Sequence, residues 1–255
     1  MKFKLKQERL ENLLEKLMVK DMIPSSVISV KEDKLYSVQR ELHARALRFL
    51  NVKKSYFEEF SCKEEESIEI DVPKVLGIVK KMTSDMITVE TKDNKVLVSG
   101  GNIKARLTVQ EPEGTVTKAF PFEMEGDMPL IGADKIPLDT YISMDVSDLK
   151  EIIEVGSPLK TEFYKFSIND QKKIDVEVGD VLGIGDAVSS TLPSGKIEKG
   201  EKLNVIFSYA VSQIADIFEG NMTIKTSTDS PAWFYEETDD YLLGILVPPF
   251  EEDEE

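Results

Sequence analysis

The sequence predicts an α+β protein of two similar halves, each made of helices laid on antiparallel sheet. Two observations predict this. The stretch Asp71 to Val109 reads as one amphipathic helix followed by three short alternating strands. The same order, helix then strands, recurs elsewhere along the 255 residues, a length that accommodates two domains of ordinary size.

Asp71 is a good N-cap, and Pro73 falls in the first turn, where its missing N–H costs nothing. Val72, Val75, Leu76, Val79 and Met82 recur at helical spacing, while Lys74 and Lys81 lie on another face. MITVE, KVLVSG and IKARLTV alternate apolar and polar residues, divided by turn signals at Lys92-Asp93-Asn94 and Gly100-Gly101. Such a helix lays its apolar stripe on a sheet and leaves a basic stripe facing away.

The opening segment, Leu5 to Lys20, predicts another helix with Leu10, Leu13, Leu14 and Leu17 as its apolar face. Arg9, Lys16 and Lys20 return to nearly one line at about 100° per residue. Pro24 breaks the helix. VISVKEDKLYSVQ reads as a hairpin turning near Glu32-Asp33, and ARALRFLNV as a further strand. Residues 110–136 hold prolines, glycines and acids that suit no helix and give poor strand signals, so they read as a long connector. Phe120, Phe122, Met124, Met128, Leu130 and Ile131 are too many large apolar groups for a disordered linker. They suit a segment strapped onto the protein or offered to a partner.

The second half repeats the plan. DTYISMD reads as a strand, followed by a helix from about Val146 to Val155 that Gly156 and Pro158 end. FYKFSINDQKKIDVEVGD is a hairpin turning at Asn169-Asp170-Gln171. Gly183-Ile184-Gly185 lacks the spacing and the Lys-Ser/Thr of a phosphate loop. KLNVIF precedes a fourth helix, SYAVSQIADIF, and NMTIKTS, PAWFYEE and DYLLGILVPP close the chain as strands.

Composition narrows the function classes. Hydrophobic residues at 41% and charged residues at 31% suit a soluble globular protein. No apolar run approaches bilayer length, and no stretch resembles a signal peptide. The single cysteine, Cys62, excludes an intramolecular disulfide and fits a reducing cytosol. The only histidine, His43, has no second histidine with which to build a metal site or a conventional triad. Glycosidase-like chemistry needs only carboxylates, but the acids here are scattered through charged turns. There is also no phosphate loop, nucleophile elbow or metal-ligand spacing, so neither an enzyme, a cofactor nor a metal is expected. A net charge of −16 opposes nucleic acid unless a basic stripe sits on an acidic body.

The order of elements resembles that of DNA sliding clamps of the proliferating cell nuclear antigen type, over essentially the whole chain. The C-terminus strengthens this. Leu246-Val247-Pro248-Pro249 and the run Glu251 to Glu255 stand where such clamps end in a leucine-leucine-alanine-proline strand and an acidic tail. Pro231, opening the penultimate strand, also matches. The resemblance implies a clamp domain over 1–110, a connector over 111–136 and a second clamp domain with its tail over 137–255. It implies a homotrimeric ring around duplex DNA, binding DNA polymerase, the clamp loader and other peptide-motif partners, with no membrane. Location would be cytoplasmic beside the nucleoid in an archaeal or viral setting and nuclear in a eukaryotic one.

By the same resemblance Arg9, Lys16, Lys20, Lys74, Lys80, Lys81, Lys150 and Lys160 face DNA. A partner-peptide groove uses Leu130 and Ile131 from the connector with Pro231, Leu246, Val247, Pro248 and Pro249, and His43 lies in a loop beside it. Sliding calls for many weak phosphate contacts without base readout, which lysine suits better than bidentate arginine. The fourth helix departs from the pattern: Ser208, Ser212, Gln213, Asp216 and Glu219 supply no cation. An acidic scaffold or decoy that binds replication or repair proteins without encircling DNA is the alternative.

Overall fold

In the computed structural model the chain begins with a strand, not a helix. It describes residues 1–19, 23–41, 46–109, 138–160, 163–180, 185–208, 210–228 and 230–250, and the backbone alone of 123–125 and 128–130. Strand β1 is Lys2–Lys6 and helix α1 is Gln7–Leu17. Leu5 therefore belongs to the strand, where KFKLK puts Phe3 and Leu5 inward and lysines outward. The last turn of α1 is fixed from the core. Buried Arg48 and Ser26 both donate to the Leu17 carbonyl, satisfying one of the carbonyls a helix end leaves open. Arg48 also donates to Ser37 Oγ, and burial pulls its pKa down to about 9.

The strands β2 (Ser25–Val30), β3 (Lys34–Arg40) and β4 (Leu47–Lys53) follow, then β5 (Glu59–Ser61) and β6 (Glu66–Asp71). Helix α2 spans Val72–Val79, and the Asp71 side chain accepts from the Lys74 N–H at 3.0 Å. Next come β7 (Met86–Lys92), β8 (Lys95–Gly100) and β9 (Ile103–Thr108). Asp93 and Asn94 both take positive φ, as a two-residue hairpin turn requires. In the connector, β10 (Glu123–Glu125) pairs antiparallel with β11 (Met128–Leu130), two strands that the sequence pattern does not reveal.

The remaining elements are β12 (Thr140–Asp145), α3 (Val146–Gly156), β13 (Tyr164–Ile168), β14 (Ile174–Gly179), β15 (Ala187–Thr191), β16 (Lys196–Lys199) and β17 (Asn204–Phe207). Helix α4 (Ala210–Ala215), β18 (Asn221–Thr226), β19 (Ala232–Glu237) and β20 (Tyr241–Val247) complete them.

The chain divides into two units. The first is Met1–Leu42, Arg48–Pro121 and Thr238–Leu243; the second is His43–Leu47, Phe122–Glu237 and Gly244–Glu255. In the first, strands run in the orders β5-β1-β7-β8-β9 and β4-β3-β2-β6; in the second, β16-β12-β18-β19-β20 and β15-β14-β13-β17, with the opening Tyr241–Leu243 of β20 counted in the first unit. Adding eleven to each strand number of the first pair of orders gives the second pair. The helices keep step: α1 follows β1 as α3 follows β12, and α2 lies between β6 and β7 as α4 lies between β17 and β18. The duplicated architecture is thus repeated strand for strand, with β10 and β11 left over between the copies.

Packing follows the apolar stripes. In the first unit α1 and α2 pack on each other, α1 also against β1 and β7, and α2 against β2 and β6. Leu10, Leu13, Leu14 and Leu17 from α1 and Val72, Val75, Leu76 and Val79 from α2 are all buried. In the second unit α3 packs on α4 and on β12, β14 and β15, burying Val146, Leu149 and Ile152. Phe166, Phe207 and Phe234 form a triangle of edge-on rings 5.6–6.3 Å apart in that core.

Candidate nucleic-acid interface

Helical phase decides which side chains a helix presents. On α2 the buried residues leave Pro73, Lys74 and Gly77 outward, and Lys80 and Lys81 follow in the turn that ends it; all five are exposed. Lys80 pairs with Glu15 at 2.8 Å, and that carboxylate raises its pKa. Lys74, Lys80 and Lys81 therefore form an exposed cationic step along α2 and the turn that ends it, with Lys80 held by Glu15.

On α1 the outcome differs from the expected stripe. Lys16 is 3% exposed, with its ammonium 5.0 Å from the centre of the Tyr241 ring. Arg9 is half-buried: it donates to the Tyr56 carbonyl at 2.7 Å, pairs with Asp240 at 3.2 Å and lies over the Tyr56 ring. The line through Arg9 and Lys16 is real, but it borders the apolar stripe on the Leu13 side instead of opposing it. At about 100° per residue the opposite face belongs to Glu8, Asn12 and Glu15, with Glu11 beside them. Glu8 and Glu15 are exposed and Glu11 is half-buried. Lys16 is thus corrected to a packed residue and Arg9 to an anchored one.

The second unit is also less basic than expected. Lys150 is half-buried and donates to the Phe218 carbonyl at 3.0 Å, just beyond the end of α4. Lys160 is exposed, in a left-handed conformation after the turn that follows α3. The outward residues of α3 are Ser147, Glu151, Glu154 and Val155, the last 56% exposed. Outward on α4 and just after it are Ser212, Gln213 and Asp216, so its lack of cations holds in the fold. Lys20 lies outside the described residues.

For the expected peptide groove, His43 and Ile131 lie outside the described residues, and of Leu130 only the backbone of β11 is described. Val247 is fully buried at the end of β20, which makes it core; Leu246, Pro231 and Pro249 are half-buried and Pro248 is exposed. The segment after β20 is tied back. The Phe250 N–H donates to the Ile206 carbonyl at 2.8 Å, and its ring meets Phe163 edge-on at 4.6 Å. Phe250 was not singled out in the sequence, where an aromatic between two prolines and an acidic run carries no periodicity.

Among the described residues no group of histidine, cysteine or carboxylate side chains is arranged to hold a metal, and no helix is long and apolar enough to cross a membrane. No protein-family model matches the chain, and no curated protein sequence matches it. Solved structures do. The proliferating cellular nuclear antigen of Entamoeba histolytica superposes with a TM-score of 0.78 at 14% identity, over 98% of each chain. PCNA from Thermococcus kodakaraensis gives 0.77 at 15%, over 98% of this chain and 99% of that one. A. fulgidus PCNA, bound to the C-terminal region of FEN-1, gives 0.77 at 17%, over 99% of both. The chain has the PCNA fold from end to end.

Proposed function

We propose that the chain is a DNA sliding clamp: a homotrimeric ring that encircles duplex DNA and tethers polymerase and other replication or repair proteins. The observation that carries this reading is the end-to-end likeness to PCNA structures, including the strand-for-strand duplication. Ring closure needs two free sheet edges, and among the described residues β9 and β15 each end a sheet with mostly exposed residues. A head-to-tail contact between such edges, repeated around an axis, closes a ring. Charge favours the match, because Lys104 and Arg106 on β9 would approach Asp175 and Glu177, which stand on β14 directly behind β15.

Within the ring the cationic step Lys74, Lys80 and Lys81 is the main phosphate contact, supplemented by Lys160. Residues 111–136 serve as the connector. Leu130, Ile131, Pro231, Leu246, Pro248 and Pro249 offer the groove for a partner peptide, as FEN-1 is bound by the A. fulgidus protein. The clamp works by enclosure and positioning, without catalysis, in whichever compartment holds the DNA.

The test is retention on nicked circular DNA after loading by a cognate loader. Protein that stays on the circle and runs off when it is linearised supports encirclement. Replacing Lys74→Glu and Lys81→Glu together is expected to cut retention at least tenfold while leaving the oligomer intact. No retention with an active loader overturns the clamp reading in favour of a scaffold that never encircles DNA.

A further inference from the structure

The acidic balance of the chain hides one strongly basic surface, and it is not on the helices. In the sheet β5-β1-β7-β8-β9, Phe3, Leu5, Ile87, Val89, Val96 and Val98 face the core. The strand registers then fix what stands on the other face. Lys4 lies opposite Thr88, Thr88 opposite Ser99, and Ser99 opposite Lys104. One row further, Lys2, Glu90, Leu97 and Arg106 follow the same path; Lys92, Lys95 and Thr108 form a third row. Lys6 extends the first strand opposite Met86.

This face therefore carries Lys2, Lys4, Lys6, Lys92, Lys95, Lys104 and Arg106. Among the described strand residues of this face only Glu59 and Glu90 oppose them, and Glu59 pairs with Lys4 at 3.0 Å. Lys92 and Lys95 are direct cross-strand neighbours, an arrangement that like charges make unfavourable unless something else needs it. The equivalent face of the second unit does not repeat the pattern. There the Lys199 and Lys225 ammonium groups lie 5.0 Å from the Tyr141 ring, and Lys225 also over Tyr235.

We propose that the outer face of this sheet is a second binding surface for the phosphate backbone of duplex DNA, used without encirclement. Among the described residues this face holds no aromatic side chain, so it has no platform on which single-stranded bases could stack. Six lysines and one arginine give point charges suited to backbone contact without base readout. The plate spans roughly 14 Å along β1 and a similar distance from β1 to β9, from strand rise and spacing. A duplex carries one charge per roughly 1.7 Å of axis, so about four phosphates on its near side meet the plate. The net charge of −16 does not cancel this at contact, because salt screens charges beyond about 10 Å at 0.1 M.

Closed circular duplex DNA without a loader separates this surface from the ring channel, since a covalently closed circle offers no end to thread. The full chain is expected to bind it at low salt, with a slope of log affinity against log salt near −4. The variant Lys2→Glu/Lys6→Glu/Lys95→Glu, which avoids the β9 edge, is expected to weaken binding at least tenfold and to flatten the slope by about three. Neutral Lys→Gln replacements at the same positions should give an intermediate loss, and an unchanged thermal melt shows that both variants are folded. Lys74→Glu/Lys81→Glu should leave this binding unchanged, while failing in the loader-dependent assay. Absence of binding at low salt, or binding indifferent to the triple reversal, overturns the proposal. So does tighter binding of a glutamate-rich peptide than of the duplex, which would make the plate a site for an acidic protein segment.

Discussion

Gly244 faces Trp233 from the neighbouring strand, and a β-carbon built on it lies 1.9 Å from the indole Cζ2. Trp233 is buried and has no room to withdraw. The replacement Gly244→Ala is therefore expected to destabilise the protein by about 1–3 kcal/mol or more through overpacking, read as a lower denaturation midpoint. Asp145 shows the opposite economy, a surface group that works through hydrogen bonds. Its carboxylate accepts from the Ser147 hydroxyl and then from the Ser147 N–H, capping α3, and these bonds hold its pKa below the usual aspartate value. A depressed carboxylate stabilises the fold above its unfolded pKa and loses that contribution as pH falls through its folded one. The Ser147→Ala variant should move the Asp145 titration, followed by carboxyl NMR, back up toward the ordinary value. A titration unchanged in the variant would assign the depression to another group.

Among the helices, α2 presents cations to solvent, whereas α1 and α3 present mainly acids. Phosphate bound along α1 would be repelled by Glu8, and phosphate bound along α3 by Glu154, neither of which has an ion-pair partner among the described residues. The double replacement Glu8→Lys/Glu154→Lys should accordingly strengthen retention on loaded DNA and steepen its salt dependence by about two contacts. Unchanged retention would place the DNA away from α1 and α3. Much of this level was legible in the sequence. The Asp71 cap, the Asp93-Asn94 turn and the alternation of β7, β8 and β12 all predicted their elements. What was not legible came down to phase and length. Lys16 sits on a straight line with Arg9, but only the angle of that line to Leu13 tells whether it points into solvent. Strand β1 is five residues long and runs into α1 without a side-chain cap, so in the sequence its Leu5 is indistinguishable from the start of the helix. The basic sheet face has no signature in the sequence, because its charges come from β1, β7, β8 and β9 and are brought together only by register.

At the scale of the whole molecule, the proposed trimeric ring would depend on one edge pair repeated three times. Reversing Lys104 and Arg106 to glutamate would set them against Asp175 and Glu177 of the next copy. If the proposed ring forms, the unmodified chain is expected to sediment near three chain masses and that variant as a monomer at the same concentration, with its circular dichroism unchanged. A trimer that survives the reversal would mean that the ring closes through other strands. Beyond assembly, the division of the chain has a consequence for its birth. Thr238–Leu243 belongs to the first unit, where Asp240 holds Arg9 and Tyr241 lies beside Lys16 and Tyr56. On the ribosome the first unit must therefore wait for residues 238–243 before it is complete. At about 5–20 residues per second the interval between Tyr56 and Tyr241 is on the order of ten seconds or more. Through that interval Lys16 and Tyr56 lack the Tyr241 ring, while Arg9 and Phe57 already lie against Tyr56.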